Sequence, residues 1–202
     1  MSGFWDKKAQ SYNDSTVRMF GNANRAIVVK TKKFCSPRSK VLDIGCGTGL
    51  IISEVAQIVD KVIAIDPSEK MIAEAKRLND NKNIEWRVGD FYSVAPQSGE
   101  FDIITAYNLL LYLDDPEKLI MDIYSALPSG GYFISVTDCI GNLPIFTRMG
   151  YNIGAATGLL PKTKLFKPEE LSNLVKKCGF EIEEERIVFN RTQNYFIAAK
   201  KP

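Results

Sequence analysis

Histidine is absent from this chain of 202 residues, and its absence narrows the chemistry that the protein can perform. Histidine is the commonest metal ligand and the commonest general base near neutral pH. The four cysteines, Cys35, Cys46, Cys139 and Cys178, also lack the C-x-x-C spacing that is typical of metal and redox sites. We therefore expect no metal, and reduced thiols that favour a cytoplasmic location.

Long apolar runs and an excess of basic charge are missing as well. The N-terminal stretch MSGFWDKKAQ has no apolar core of a secretory signal, and runs such as NLLLYL are too short to span a bilayer. The 26 Lys and Arg residues barely exceed the 24 Asp and Glu residues and are scattered along the chain. Neither a membrane nor a nucleic acid is therefore an expected partner.

Strand and helix patterns alternate from residue 40 onward. The short apolar runs KVLDI, KVIAID, NIEWRV, FDIITAY and GYFISVTD are typical of buried strands, and amphipathic helical segments separate them. The last two segments, EIEEERIVF and QNYFIAAKK, are typical of an antiparallel pair. This order predicts an α/β fold: a Rossmann-like three-layer α/β/α sandwich whose seven-stranded, mostly parallel sheet ends in a C-terminal antiparallel strand.

The length predicts one domain, within which four parts can be distinguished. Residues 1–39 form a helical cap of one or two helices, residues 40–137 form the ligand-binding core, and residues 167–202 form a C-terminal helix and strand pair. Residues 138–166 show no regular pattern and are longer than an ordinary connection. Because this segment is rich in apolar residues, we interpret it as a lid and not as a disordered loop.

Three glycines at alternate positions follow the first strand, in KVLDIGCGTGL. Glycine tolerates positive φ and leaves room for a ligand against the backbone. A glycine turn between a strand and a helix also directs N–H groups toward the pocket at the carboxyl ends of the strands. The position that carries the third glycine of the dinucleotide pattern is Leu50 here. The turn therefore indicates a nucleoside-type ligand, but not through the dinucleotide pattern.

The segment DIGCGTG resembles motif I of the class I S-adenosylmethionine-dependent methyltransferases. VIAIDPSEKMI resembles the second motif of that family, VGDF its adenine site, and FDIITAYNLLLYLDDPEKLI its fourth strand and the following helix. FWDKKAQSYND resembles the N-terminal cap of the small-molecule, type 11 subgroup. The resemblance covers nearly the whole chain, and it implies S-adenosylmethionine as the cofactor and a small molecule as the methyl acceptor.

The resemblance assigns roles to individual acidic residues. Asp66 would hold both ribose hydroxyls and Asp90 would meet the adenine amino group. A carboxylate such as that of Asp66 suits a vicinal diol because it accepts two hydrogen bonds. Asp43 would face the ammonium group of the cofactor. Phe91 and Met71 would enclose the adenine through apolar contact. The alternatives are a turn-forming role for Asp66 and a helix-capping role for Asp90. The predicted cofactor contacts are Asp43, Gly45, Cys46, Gly47, Gly49, Asp66, Pro67, Met71, Asp90, Phe91 and Tyr107.

The acceptor pocket is less constrained, because methyl transfer depends mainly on alignment and desolvation. The predicted catalytic residues are Tyr112, Tyr12 and Asn108, with Tyr107, Arg148 and Tyr151 as further pocket candidates. Related small-molecule enzymes often carry histidine in the segment that holds Tyr112. Tyrosine with a pKa near 10 is a poor base at pH 7 but a good hydrogen-bond partner. We therefore expect an acceptor that ionises or attacks by itself: a thiol, an amine, a phenol or an enolic carbon.

Two other functions remain compatible with the sequence. An NAD(P)-dependent oxidoreductase would also use a glycine turn and an acidic residue at the end of the second strand, although the G-x-G-x-G spacing argues against it. A binding module could retain the S-adenosylmethionine site without turnover. A monomer and a homodimer are both compatible with the sequence.

Overall fold

A computed structural model describes residues 2–202, apart from the side chains of residue 2 and residues 18–20. The strands are β1 Lys40–Ile44, β2 Lys61–Asp66, β3 Ile84–Val88, β4 Ile103–Tyr107, β5 Tyr132–Asp138, β6 Glu181–Phe189 and β7 Asn194–Lys200. The helices are α1 Ser2–Lys32, α2 Ile52–Ala56, α3 Glu69–Leu78, α4 Phe91–Val94, α5 Pro116–Ala126, α6 Ile145–Ala156 and α7 Pro168–Lys177. Two short 3₁₀ turns, Leu110–Tyr112 and Ile140–Asn142, follow β4 and β5.

All seven strands form one sheet in the order β3-β2-β1-β4-β5-β7-β6. The first five strands are parallel, and β7 lies antiparallel to both β5 and β6. The predicted seven-stranded sheet with a C-terminal antiparallel strand is confirmed. Each crossover between parallel strands brings a helix onto one face of the sheet, so that both faces are covered.

Alternate side chains of the strands pack into two separate apolar layers. Leu42 of β1 packs on one face with the buried side chains of α5 and α7, among them Ile120. Val41 packs on the opposite face with Ile27 of α1 and Val55 of α2. The carboxyl ends of β1, β2, β4 and β5 are adjacent as a result, and they form the floor of the candidate site.

Two helices refine the picture that the sequence predicted: the first selects between two predicted alternatives, and the second was not predicted. The N-terminal part is one continuous helix, α1, which passes through Gly21 without interruption. The segment predicted to be irregular, residues 138–166, contains the 12-residue helix α6. Among the described helices, none is both long enough and apolar enough to cross a bilayer.

Candidate functional site

A cavity of about 810 Å³ lies at the carboxyl ends of the parallel strands, and residues of α1 from Trp5 to Asn24 line its other side. Each of four adjacent strands contributes an acidic or phenolic residue to its wall: Asp43 near the end of β1, Asp66 at the end of β2, Tyr107 at the end of β4 and Asp138 at the end of β5. The volume lies in the range of small-molecule and cofactor sites. The strand ends therefore converge on one polar floor.

The glycine turn closes one end of this cavity. The backbone N–H groups of Gly45 and Cys46 both donate to the carbonyl oxygen of Ile65, at 2.8 and 2.9 Å, which ties the turn to the end of β2. Gly47 has φ of +55°, and a side chain at this position would meet only Tyr12, at 3.9 Å. The backbone at Gly47 is thus open to the cavity, as a close approach by a ligand requires.

Gly49 differs from Gly47 in what surrounds it. It is absent from the cavity wall. A Cβ atom at this position would lie 2.3 Å from the Trp86 ring of β3, and φ is +79°. Gly49 therefore allows the turn to pack against the sheet, and its predicted contact with the cofactor remains a prediction. This packing could not be predicted from a local pattern, because Trp86 lies 37 residues further along the chain.

Asp66 is almost fully buried, and both of its carboxylate oxygens accept backbone hydrogen bonds. Oδ2 accepts from the N–H of Gly47 at 3.0 Å, and Oδ1 accepts from the N–H of Ser68 at 2.8 Å. Burial raises the pKa of this carboxyl, and the two backbone donors partly oppose the rise. An ionised carboxylate offers about four acceptor positions, so these two bonds leave capacity for a ligand diol.

Asp43 is fully buried and lies opposite Thr105 in the pairing of β1 and β4. The Thr105 hydroxyl donates to Oδ1 of Asp43 at 2.6 Å. Burial raises the pKa of Asp43 to about 7, with the nearby charge of Asp66 adding to the rise and the hydroxyl opposing it. A cationic group of a ligand would stabilise the ionised form of this carboxyl.

The predicted adenine site is also at the cavity wall. Asp90 caps α4 by accepting the N–H of Ser93 through Oδ1 at 2.8 Å, so the alternative role that the sequence allowed is present. Asp90 also lines the cavity together with Phe91, Met71 and Pro67. The capping bond occupies one carboxylate oxygen and leaves the other available.

Aromatic side chains form the opposite end of the cavity. Trp5 of α1 stacks edge-on against Tyr112, with ring centroids 5.3 Å apart, and against Tyr12 at 6.1 Å. Burial raises the pKa of both tyrosines, so neither ionises readily near neutral pH. The Tyr107 hydroxyl is bonded to that of Thr31 at 3.0 Å. These aromatic groups can pack against a ligand and orient it.

A polar network that the sequence analysis missed adjoins the aromatic end. Asp138 and Asn194 are direct partners across β5 and β7, and both line the cavity. Nδ2 of Asn194 donates to Oδ1 of Asp138 at 2.8 Å and to Oδ1 of Asn108 at 3.2 Å. Asn108 adopts a left-handed φ of +52°. An aspartate that ends a parallel strand could have indicated Asp138, but this residue was predicted only as the start of the lid.

Two predicted pocket residues lie outside this cavity wall. Arg148 and Tyr151 are on α6, and the residues that line the cavity do not include them. Tyr151 is nevertheless close enough for the charge of Asp138 to raise its pKa, after the larger effect of burial. The segment around α6 is closed at its base, where the N–H of Gly141 donates to the carbonyl oxygen of Phe166 at 2.8 Å.

Residues 42–135 match the family model described as a methyltransferase domain. Ubiquinone biosynthesis O-methyltransferases from Thiobacillus denitrificans and Xanthomonas axonopodis are 28% and 29% identical to the chain, over 155 and 156 residues. Each match covers 72% of this chain, and 66% and 64% of the respective relative. The chain thus spans less than two thirds of the length of these curated relatives.

Solved structures share the fold over nearly the full length. An S-adenosylmethionine-dependent methyltransferase from Thermotoga maritima has a TM-score of 0.74 and 20% identity, and the match covers 100% of this chain and 99% of that one. A chain of the Haloferax volcanii complex between the Trm112 methyltransferase activator and a methyltransferase has a TM-score of 0.81 and 13% identity, over 98% and 97%. At such identities the likeness concerns the fold alone.

Proposed function

We propose that this chain, which belongs to the class I S-adenosylmethionine-dependent methyltransferases of type 11, transfers a methyl group from S-adenosylmethionine to a small-molecule acceptor. The main support for the proposal is that one cavity extends from the glycine turn and Asp66 at its first end to the aromatic side chains of Tyr12 and Tyr112 at its second end. One continuous cavity allows a cofactor and an acceptor to lie in contact, as a direct displacement requires.

The residues at the first end have the chemistry that the cofactor needs. The open backbone at Gly47, the two-oxygen acceptor of Asp66 and the apolar walls of Phe91 and Met71 match a nucleoside. Asp43 is proposed to face the ammonium group. When bound, S-adenosylmethionine supplies a sulfonium methyl group: a lone pair of the acceptor bonds to the methyl carbon while the carbon–sulfur bond breaks and its electron pair stays on sulfur.

The residues at the second end are proposed to hold and orient the acceptor. Tyr12, Tyr112 and Asn108 surround it, and α1 covers it as the N-terminal cap. The segment of residues 138–166 is proposed to act as a lid, which would exclude water during transfer. The relatives named as O-methyltransferases of ubiquinone biosynthesis support a small-molecule acceptor. No nucleic acid is proposed as a partner, the proposed location is the cytoplasm, and the proposed state is a monomer or a homodimer.

Calorimetry and a turnover assay test the proposal together. S-adenosylhomocysteine should bind the purified chain and raise its melting temperature, whereas NAD should do neither. Incubation with S-adenosylmethionine and a panel of thiols, amines, phenols and enolic carbon acids should yield S-adenosylhomocysteine only with some acceptors. Binding without turnover across the panel would favour a non-catalytic module, and stabilisation by NAD would favour an oxidoreductase.

A further inference from the structure

The second end of the cavity carries the carboxylate of Asp138 and acceptor groups, and in the described part of the chain this carboxylate has no ion-pair partner. Asp138 receives two hydrogen bonds, from Thr192 at 2.6 Å and from Asn194 at 2.8 Å, and both go to the same oxygen, Oδ1. No described donor is bonded to the other oxygen. None of the ion pairs among the described side chains includes Asp138. A largely buried carboxylate without a counter-charge is costly, so the site is complementary to a cation.

Asn194 adds a second, independent observation. It is 2% exposed and lines the cavity. Both hydrogens of its Nδ2 are committed, to Asp138 and to Asn108, which fixes the orientation of the amide. Its Oδ1 is buried and has no hydrogen-bond partner in the described structure. A buried acceptor atom without a donor is unfavourable, so a ligand that supplies an N–H or O–H group would relieve it.

The surrounding side chains also favour a cation. Trp5, Tyr12 and Tyr112 place aromatic rings at the same end of the cavity, and the faces of such rings attract a positive charge. The negative charge of Asp138 adds to the rise in the pKa of Tyr12, Tyr112 and Tyr151, because all three side chains lie near it. The positive charge of the exposed residue Arg191 lowers the pKa of Tyr151. The other titratable group that faces Asp138 is the buried thiol of Cys139.

From these contacts we infer that the methyl acceptor is an amine, bound as its ammonium ion between Asp138, the free Oδ1 of Asn194 and the aromatic rings. This inference rests on the proposed function and specifies its acceptor. The ammonium ion transfers one proton to the free carboxylate oxygen of Asp138, which leaves a neutral amine with its lone pair available. That lone pair forms the new carbon–nitrogen bond as the carbon–sulfur bond breaks and its electron pair stays on sulfur, so the products are a protonated N-methylamine and S-adenosylhomocysteine. Asp138 then returns its proton to solvent.

Binding measurements test the inference separately from turnover. With the chain saturated with S-adenosylhomocysteine, calorimetry should detect binding of arylalkylamines such as 2-phenylethylamine, and much weaker binding of the matched neutral alcohols. Asp138→Asn keeps an oxygen for both hydrogen bonds but removes the charge, so it should weaken amine binding by about tenfold or more. Asp80→Asn makes the same change at an exposed position outside the cavity and should leave amine binding unaltered.

The result also distinguishes failure of the inference from failure of the proposed function. If S-adenosylhomocysteine binds and phenols or thiols are methylated while no amine in the panel binds, the acceptor is not an amine and the proposed function stands. Equal amine affinity in Asp138→Asn and in the unaltered chain would also overturn the inference. If S-adenosylhomocysteine itself fails to bind, the proposed function fails first.

Discussion

Gly47 and Gly49 lie in the same turn but are required for different reasons. Gly47 presents open backbone to the cavity, whereas Gly49 is fixed by the Trp86 ring, which a Cβ atom would approach to 2.3 Å. Both have positive φ, so each alanine variant carries a backbone cost of about 1–2 kcal/mol. The two variants therefore form a matched pair that separates ligand approach from packing.

We predict that Gly47→Ala weakens S-adenosylhomocysteine binding more than Gly49→Ala, and that Gly49→Ala destabilises the fold more. The collision with Trp86 should add about 1–3 kcal/mol to the loss of unfolding free energy in Gly49→Ala. Urea unfolding measures the loss of unfolding free energy, and calorimetry measures the affinity for S-adenosylhomocysteine. The assignment of the two glycines is wrong if Gly49→Ala is the more stable variant, or if Gly47→Ala binds S-adenosylhomocysteine like the unaltered chain.

The second prediction at this scale concerns Asp66. Asp66→Ala should weaken S-adenosylhomocysteine binding by about 1.5–3 kcal/mol, the usual size for hydrogen bonds to a charged group. It should also destabilise the unliganded chain, because the N–H groups of Gly47 and Ser68 lose their acceptor. Asp66→Asn should lose less affinity for S-adenosylhomocysteine and less stability, since one acceptor oxygen remains.

Asp80→Asn removes one negative charge at an exposed position, so it is the control for both the affinity and the stability of the Asp66 variants. A loss of stability without a loss of affinity in Asp66→Ala would assign Asp66 to the turn alone, which is the alternative that the sequence left open.

At the scale of secondary structure, sequence patterns succeeded where local chemistry decides. Ser68 accepts the N–H of Met71 at the start of α3, and Asp115 accepts the N–H of Lys118 at the start of α5; Ser and Asp are the residue types preferred at such positions. The strands were predictable because burial on both faces gives short, continuous apolar runs. These features depend on neighbours in the chain.

The features that were missed depend on distant residues or on weak propensity. Helix α6 contains Gly150 and Gly154 and has no side-chain cap, so its sequence gave no helical signal. Only Gly154 is buried in it, and a Cβ atom there would meet the Leu160 side chain at 2.7 Å. The role of Asp138 is set by Asn194, which lies on another strand. Such contacts are not encoded in a local pattern.

The large apolar side chains of α6 provide a test of the lid. Phe146 is 82% exposed and Ile153 is 62% exposed, so neither stabilises the unliganded fold appreciably. If α6 closes over a bound acceptor, Phe146→Ser should raise the KM for the acceptor while leaving the unfolding free energy within about 0.5 kcal/mol. S-adenosylhomocysteine affinity should not change.

Replacement of residues 143–164 by a short Gly/Ser linker is the stronger form of this test, and the bond between Gly141 and Phe166 makes it feasible because the ends already meet. Turnover should be lost and cofactor binding kept. Hydrogen exchange across α6 should slow when S-adenosylhomocysteine and an acceptor are both bound, and exchange that does not change would contradict a lid.

At the scale of the whole molecule, the acidic floor of the cavity makes folding stability depend on pH. The direction of this pH dependence follows from Asp43, because folding raises its pKa from 3.8 to about 7, chiefly by burial. Between these values the folded chain holds a proton that the unfolded chain has released. The stability contributed by this group is therefore complete below about pH 4 and is lost as the pH rises to about 7, a change on the order of 4 kcal/mol.

The final prediction compares the chain with Asp43→Asn, which keeps an oxygen for the Thr105 hydroxyl but cannot ionise. The unfolding free energy of the unaltered chain should fall relative to that of Asp43→Asn as the pH rises from about 4 to about 7. If Asp43 faces the ammonium group of the ligand, binding lowers its pKa, so S-adenosylhomocysteine should release a proton from the unaltered chain near pH 6 but not from the variant. Calorimetry in two buffers of different ionisation enthalpy measures that proton. Parallel stability profiles would show that Asp43 is ionised in the free chain, and equal proton release would place the ammonium group elsewhere in the cavity.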